Sequence, residues 1–175
     1  MARFPDGSLL PQEVVRLCAL GLLREGARPL ATLAREAHRL SAFHLGASLD
    51  AAGESIAALA ALGLARAELP PGAPPGEAML HPTAAGEAEL RARLLSRPAR
   101  PGSDLGRAVA SLKLRFAAAL GAGDRRAMLA ALLDAARADL ARHDEGGPAA
   151  TELDAAERAG AALRVEAIGK AMEQA

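Results

Sequence analysis

The polar side chains best suited to molecular recognition lie in the first half of the chain. Arg35 and Arg39 are four residues apart, which places both on one face of a helix. Ser48, Ser55 and Arg66 follow them. Arginines neutralise phosphates, and serine hydroxyls hydrogen-bond to phosphates or base edges. These groups suit non-covalent contact with phosphates and base edges, and all five are candidate DNA-binding residues if the elements that carry them form a DNA-binding fold.

Residues suited to catalysis or metal binding are scattered. None of the four histidines, His38, His44, His81 and His143, lies three or four residues from another, and Cys18 is the only cysteine. The sequence has no glycine-rich phosphate loop, no nucleophile elbow and no paired carboxylates in an apolar run. We therefore expect no catalytic site, no cofactor and no metal, and we expect Cys18 to be a small buried hydrophobe.

A third helix is predicted over residues 50–62. Ile56, Leu59 and Leu62 form an apolar seam among alanines, and Gly63 can end the helix in the left-handed conformation. No lysine or arginine occurs between residues 50 and 64. This helix can therefore offer DNA only a serine hydroxyl and methyl groups.

A hairpin and a fourth helix follow directly. The runs LARAEL and AML flank PPGAPPGEA, which predicts two strands joined by a loop with no helical option. Thr83 can cap the next helix, on which Leu90 and Leu94 continue an apolar stripe. A helix followed by a two-stranded wing is the second half of a winged helix-turn-helix. The alternative is a helix-hairpin-helix unit with no role in nucleic-acid binding.

Two helices are predicted before this stretch. The first runs from Pro11 to Glu25 and is apolar on more than one face. The second opens at Pro29 and ends near Ser41, with Arg35 and Arg39 facing out. The segment 41–48 then connects to the third helix. The predicted fold is mainly α, with a winged helix-turn-helix domain over residues 1–97.

The C-terminal part, residues 103–175, is predicted to be helical. After the break PARPGS, Ser103 can cap a helix over residues 104–121, Asp124 can cap a second that pairs antiparallel with the first, and Thr151 opens a third. We expect the apolar faces of the first two to stay exposed in a monomer, which predicts a homodimer. The predicted dimer interface consists of Leu17, Leu20, Leu112, Phe116, Leu129, Leu132 and Leu133.

Three further expectations come from composition and pattern. The residues of the run 112–133 can alternatively line a pocket for a small apolar effector. The charged segments GEAEL and ARADLARHDE are expected to be solvated helix faces. The formal net charge is zero, and no apolar stretch is long enough to cross a membrane, so we expect a cytoplasmic protein without membrane contact.

These motifs resemble the PadR family of transcriptional regulators. The resemblance rests on LLREG at the end of the first helix, Pro29-Leu30, the Leu59-x-x-x-Gly63-Leu64 phrase, and LHPTAAGEAEL after the wing. It implies a winged helix-turn-helix with a C-terminal helical dimerisation region, and a homodimeric repressor that binds a pseudo-palindromic operator.

The third helix departs from the family pattern. Family members usually carry tyrosine and basic residues where this chain has Gly53, Ala57 and Ala58. An alanine-lined surface without charge also suits a partner helix. The alternative hypothesis is therefore a winged-helix protein that binds a protein partner and has lost sequence-specific DNA binding.

Overall fold

The computed structural model describes residues 11–45, 56–96, 102–145 and 152–174. These residues are mainly helical, with one small antiparallel sheet. The chain divides into two compact units between Leu94 and Leu95. In the described ranges, no helix is both long and apolar enough to span a membrane.

The first unit begins with two helices joined by a short strand. Helix α1 spans Pro11–Glu25 as predicted, strand β1 spans Arg28–Pro29, and helix α2 spans Leu30–Leu45. The prediction that the second helix ends near Ser41 was wrong, because α2 continues for another turn. The short strand was also missed, since two residues leave no periodic pattern in a sequence. Its pairing depends on a partner strand some fifty residues later.

Helix α3, of which residues 56–61 are described, ends in a glycine cap. Gly63 has φ +69°, its N–H donates to the Ala60 carbonyl at 3.0 Å, and the Leu64 N–H donates to the Leu59 carbonyl at 2.8 Å. This pair of bonds is the Schellman motif, which satisfies carbonyls that the helix end leaves open. The predicted termination at Gly63 is confirmed.

The wing consists of β2, Ala65–Glu68, and β3, Met79–Pro82. The strand order is β1–β3–β2, and both pairings are antiparallel. The tip contains one 3₁₀ turn at Pro75–Glu77, so the expectation that this loop has no helical option was wrong. Pro74 and Pro75 fix φ near the helical value, which favours such a turn at the start of a helix.

Helix α4, Ala84–Leu95, follows the wing. The Thr83 hydroxyl accepts the Gly86 N–H at 3.0 Å, so the predicted cap is confirmed. Leu90 and Leu94 are buried, as the stripe predicted. They contribute to an aliphatic core that includes Val14, Leu17, Cys18, Leu33, Ile56, Leu59 and Leu80.

The second unit is helical. Helix α5 spans Asp104–Arg115, with the Ser103 hydroxyl accepting the Gly106 N–H at 3.1 Å as predicted. It ends earlier than expected, because a 3₁₀ turn at Ala117–Ala119 follows Phe116. Phe116 and Leu120 are both buried on either side of this turn, so packing overrides the helix propensity of three alanines.

Helices α6, Ala122–Glu145, and α7, Glu152–Glu173, pack against each other in the second unit. The sequence predicted that the first two C-terminal helices form an antiparallel pair, whereas the extensive helix packing in this unit is between α6 and α7. The many alanines of α6 and α7 allow this packing, since small side chains let helix backbones come near each other. Helix α6 begins at Ala122, which puts Asp124 in its first turn and not at its cap. Thr151 lies outside the described residues.

Candidate nucleic-acid interface

The outward face of α2 carries two arginines that no carboxylate neutralises among the described residues. Arg35 and Arg39 are exposed and one helical turn apart. Arg35 Nη2 donates to the Thr32 hydroxyl at 3.3 Å, which leaves its charge uncompensated. Glu36 lies beside them, but its carboxylate pairs with Arg28 Nη1 at 2.5 Å. The structure therefore presents both predicted α2 cations to solvent.

The described part of α3 presents only small apolar groups. Ile56 and Leu59 are fully buried and hold the helix on the core, whereas Ala57 and Ala61 are exposed. Leu62 was predicted to extend the buried seam, but it is 53% exposed. Six residues along a helix is 600°, which rotates Leu62 about 120° away from Ile56. The candidate residues Ser48 and Ser55 lie outside the described residues.

The wing brings three polar side chains together. Arg66 pairs in register with His81 across the two strands, and Glu68 lies two residues beyond Arg66 on the same face. Arg66 Nη2 is 3.7 Å and His81 Nε2 is 3.5 Å from the same oxygen, Glu68 Oε2. The predicted contact residue Arg66 is thus exposed but shares its surface with a carboxylate. We define Arg66, Glu68 and His81 as the wing face.

Two contacts fix the wing relative to the helices on either side of it. The Thr83 hydroxyl donates to the Gly63 carbonyl at 2.8 Å, which joins the end of α3 to the start of α4. A Cβ atom at Gly86 would lie 2.0 Å from the Leu64 carbonyl oxygen. Only glycine allows α4 to approach the backbone this closely. Both contacts hold the base of the hairpin.

A buried ion-pair cluster in the first unit was not predicted. Arg93 on α4 is 1% exposed; its Nη1 lies 3.4 Å from Glu13 of α1, and its Nη2 lies 2.6 Å from Glu89. The expectation that GEAEL is a solvated face is therefore wrong for Glu89, which is partly buried against Arg93. A signal was present in the sequence. Arg93 is three residues after Leu90 and adjacent to Leu94, so it falls on the apolar stripe.

Charged side chains are also buried in the second unit. Asp139 is 2% exposed and binds Arg142 Nη2 at 2.7 Å and Arg164 Nη2 at 2.8 Å. ARADLARHDE is therefore not wholly solvated as expected, because Arg164 of α7 covers its Asp139.

Lys113 is buried too, and its ammonium donates to the carbonyl and the hydroxyl of Ser96. Burial lowers the pKa of Lys113 to about 8.

The side chains assigned to a dimer interface are all buried within one chain. Phe116 is 4% exposed. Each of the six leucines is at most 6% exposed: Leu17, Leu20, Leu112, Leu129, Leu132 and Leu133. The expectation that a monomer leaves the apolar faces of the C-terminal helices exposed was wrong. A third helix, α7, packs on α6. The assignment of these residues to an interface stays a prediction.

No group of three or more His, Cys, Asp or Glu side chains in the described ranges is arranged to hold a metal ion. Three histidines have described side chains, and each lies on a different element: His38 on α2, His81 on β3 and His143 on α6. Cys18 is fully buried, as predicted.

The fold and a family comparison define the class of the protein. A mainly helical unit with a β1–β3–β2 antiparallel sheet is consistent with a winged-helix fold. A family model described as "Putative AphA-like transcriptional regulator" matches residues 4–166, and the chain belongs to this family. This places it among transcriptional regulators. A comparison with curated proteins found no match. The PadR resemblance stays a prediction.

Proposed function

We propose that the protein is a cytoplasmic, homodimeric repressor that binds double-stranded DNA in the manner of PadR regulators. The observation that carries the proposal is the pair of uncompensated arginines, Arg35 and Arg39, on the outer face of α2. In helix-turn-helix proteins this helix crosses the phosphate backbone while the next one enters the major groove. The two guanidinium groups are suited to holding phosphates there.

The exposed side of α3 suits methyl contacts better than hydrogen-bond readout. Ala57 and Ala61 can pack on thymine methyl groups, and Ser55 is a candidate donor to a base edge. The wing adds Arg66. Such an interface gains its affinity from phosphates and from shape, so we expect modest discrimination between sequences.

Binding to DNA from the protein's own upstream region, measured as salt is varied, tests this function. A dimer using Arg35 and Arg39 on each protomer neutralises about four phosphates, so log affinity should fall against log salt with a slope of about −4, which engagement of both Arg66 side chains steepens to about −5. Fluorescence anisotropy of a labelled duplex gives this slope directly. Absence of binding to any upstream fragment at low salt would contradict the proposal.

The homodimer requires a test that does not disturb the core. Phe116 is unsuitable, because it is buried and its replacement would unfold the chain. Leu163 on α7 is 66% exposed and is a large apolar side chain open to a second copy. Sedimentation of the wild type against Leu163→Glu should show a dimer that weakens in the variant. A wild type that runs as a 17.8 kDa monomer at micromolar concentration would exclude the dimer.

A second candidate function is a protein-interaction module. The exposed residues at the end of α3, Ala57, Ala61 and Leu62, form a charge-free surface of the kind found at interface cores. Recovery of a stoichiometric protein from native extract, lost in Leu62→Lys and retained in Leu163→Lys, would support it. Recovery of DNA alone would favour the repressor. A small apolar effector bound in the second unit also stays a proposal.

A further inference from the structure

The wing face holds more charge than Arg66 alone. Glu68 Oε2 is approached by Arg66 Nη2 at 3.7 Å and by His81 Nε2 at 3.5 Å, so one carboxylate oxygen serves both side chains. Arg66 and Glu68 are about two-thirds exposed, whereas His81 is 31% exposed. All three project from the same hairpin, and strand pairing fixes their spacing.

The net charge of this surface depends on one proton. When the imidazole is neutral, the charges of Arg66 and Glu68 cancel. When it is protonated, the wing face has a net charge of about +1, because Glu68 then lies beside two cations. Histidine is the side chain whose charge ordinarily changes between about pH 5 and 8. An ion pair of 3.7 Å at an exposed site is weak, so a second cation beside Glu68 can displace the guanidinium from it.

We propose that the wing face is a proton-coupled phosphate contact, in which protonation of His81 occupies Glu68 and releases Arg66 to the DNA backbone. The inference rests on the proposed DNA binding and adds its regulation. In the neutral state Glu68 repels phosphate and retains Arg66. In the protonated state the imidazolium occupies Glu68, and the wing offers the guanidinium of Arg66 to the DNA.

Other charged groups around His81 are engaged elsewhere. On the neighbouring strand β1, Arg28 opposes Leu80 and directs its guanidinium to Glu25, Glu36 and the Leu22 carbonyl. On α1, Arg24 faces Glu87 of α4 at 3.8 Å. Glu68, 3.5 Å from the imidazole, and Arg66, which pairs with His81 in register, are the charged groups that strand β2 places beside His81.

The test is the affinity for a labelled duplex from the upstream region, measured from about pH 5.5 to 8 at several salt concentrations. Wild-type affinity should rise as pH falls, by up to tenfold per pH unit for each engaged wing, since one proton is taken up. The salt slope should steepen by about 0.9 per wing at low pH. His81→Gln should bind with a flat profile and the shallower slope.

Three further variants complete the design. Glu68→Gln should bind more tightly than wild type at high pH, because Arg66 is then free without a proton. His38→Gln on α2 and His143→Gln on α6 are matched controls that should keep the wild-type pH profile. His81→Asn is a second variant without the titratable ring. Circular dichroism of every variant shows whether a lost pH dependence reflects the lost contact or a lost hairpin.

The outcomes separate this inference from the function on which it rests. Binding that is independent of pH in the wild type, or a pH dependence that survives in both His81 variants, overturns the proton coupling and leaves DNA binding intact. No binding at any pH and low salt overturns both. A profile abolished by His38→Gln instead would assign the proton to α2 and also overturn the role of the wing.

Discussion

The Thr83 side chain joins the end of α3 to the start of α4. Its hydroxyl donates to the Gly63 carbonyl at 2.8 Å, and the same oxygen accepts the Gly86 N–H at 3.0 Å. One side chain thus uses its donor and an acceptor site at once. Because the hairpin lies between these two points in the chain, Thr83 closes the base of the wing.

Removing this hydroxyl should destabilise the first unit. Thr83→Ala loses the helix cap and the bond to Gly63, and we expect the free energy of unfolding to fall by about 1–2 kcal/mol. Thr83→Ser keeps both hydrogen-bonding functions and should stay within about 0.5 kcal/mol of the wild type. Urea denaturation gives both values. Equal losses in the two variants would show that the methyl group, and not the hydroxyl, stabilises this corner.

Gly86 should not tolerate a side chain. A Cβ atom there would meet the Leu64 carbonyl oxygen at 2.0 Å, and a backbone atom cannot move aside at little cost. Gly86→Ala should lower the free energy of unfolding by about 1–3 kcal/mol.

The matched control is Gly169→Ala in α7. A Cβ atom there would have no neighbour within 4 Å, so this variant should gain about 0.5–1 kcal/mol, as alanine does in a helix interior. Thermal melts of both variants decide the matter. A Gly86→Ala protein as stable as the wild type would contradict the close approach of α4 to Leu64.

Lys113 should make stability depend on pH in the alkaline range. Burial lowers its pKa to about 8 in the folded protein, whereas an unfolded lysine titrates near 10.4. Between these values the unfolded chain binds more protons, so stability rises with pH there. Below about pH 8 the cost of burying the charged group is fully present, and the rise should total about 3 kcal/mol.

The control for this prediction is Lys113→Met, which removes the ammonium and retains most of the side-chain volume. This variant should match or exceed the wild type at neutral pH and lose the rise between about pH 8 and 10. Denaturant titrations at several pH values measure it. A rise of equal size in the variant would assign the effect to another group.

The two arginines of α2 should account for part of the salt dependence of DNA binding. The double variant Arg35→Ala/Arg39→Ala should weaken binding and reduce the salt slope by about 2 per protomer, since each phosphate contact contributes roughly one. Arg126→Ala/Arg137→Ala removes the same charge from exposed positions of α6 and is the matched control. An equal effect of both pairs would indicate a general charge effect without an α2 contact.

Local sequence chemistry determined the helix ends that could be predicted. Ser103 and Thr83 cap helices because a hydroxyl reaches a backbone N–H three residues on, and Gly63 ends α3 because glycine adopts positive φ without strain. The hairpin followed from alternating runs that flank prolines. The uncompensated pair Arg35 and Arg39 could likewise be placed on one face from their spacing alone.

Only the tertiary structure decided which partners the buried charges meet and where the shorter elements lie. Arg93 of α4 pairs with Glu13 of α1, which lies at the other end of the first unit's sequence, and Asp139 of α6 pairs with Arg164 of α7. A long charged side chain is stable in the interior only beside such a partner, and no local pattern reveals a partner so distant in sequence. Strand β1 exists only because β3 lies beside it. The wing face has the same origin, since antiparallel pairing brings His81 opposite Arg66 and within reach of Glu68.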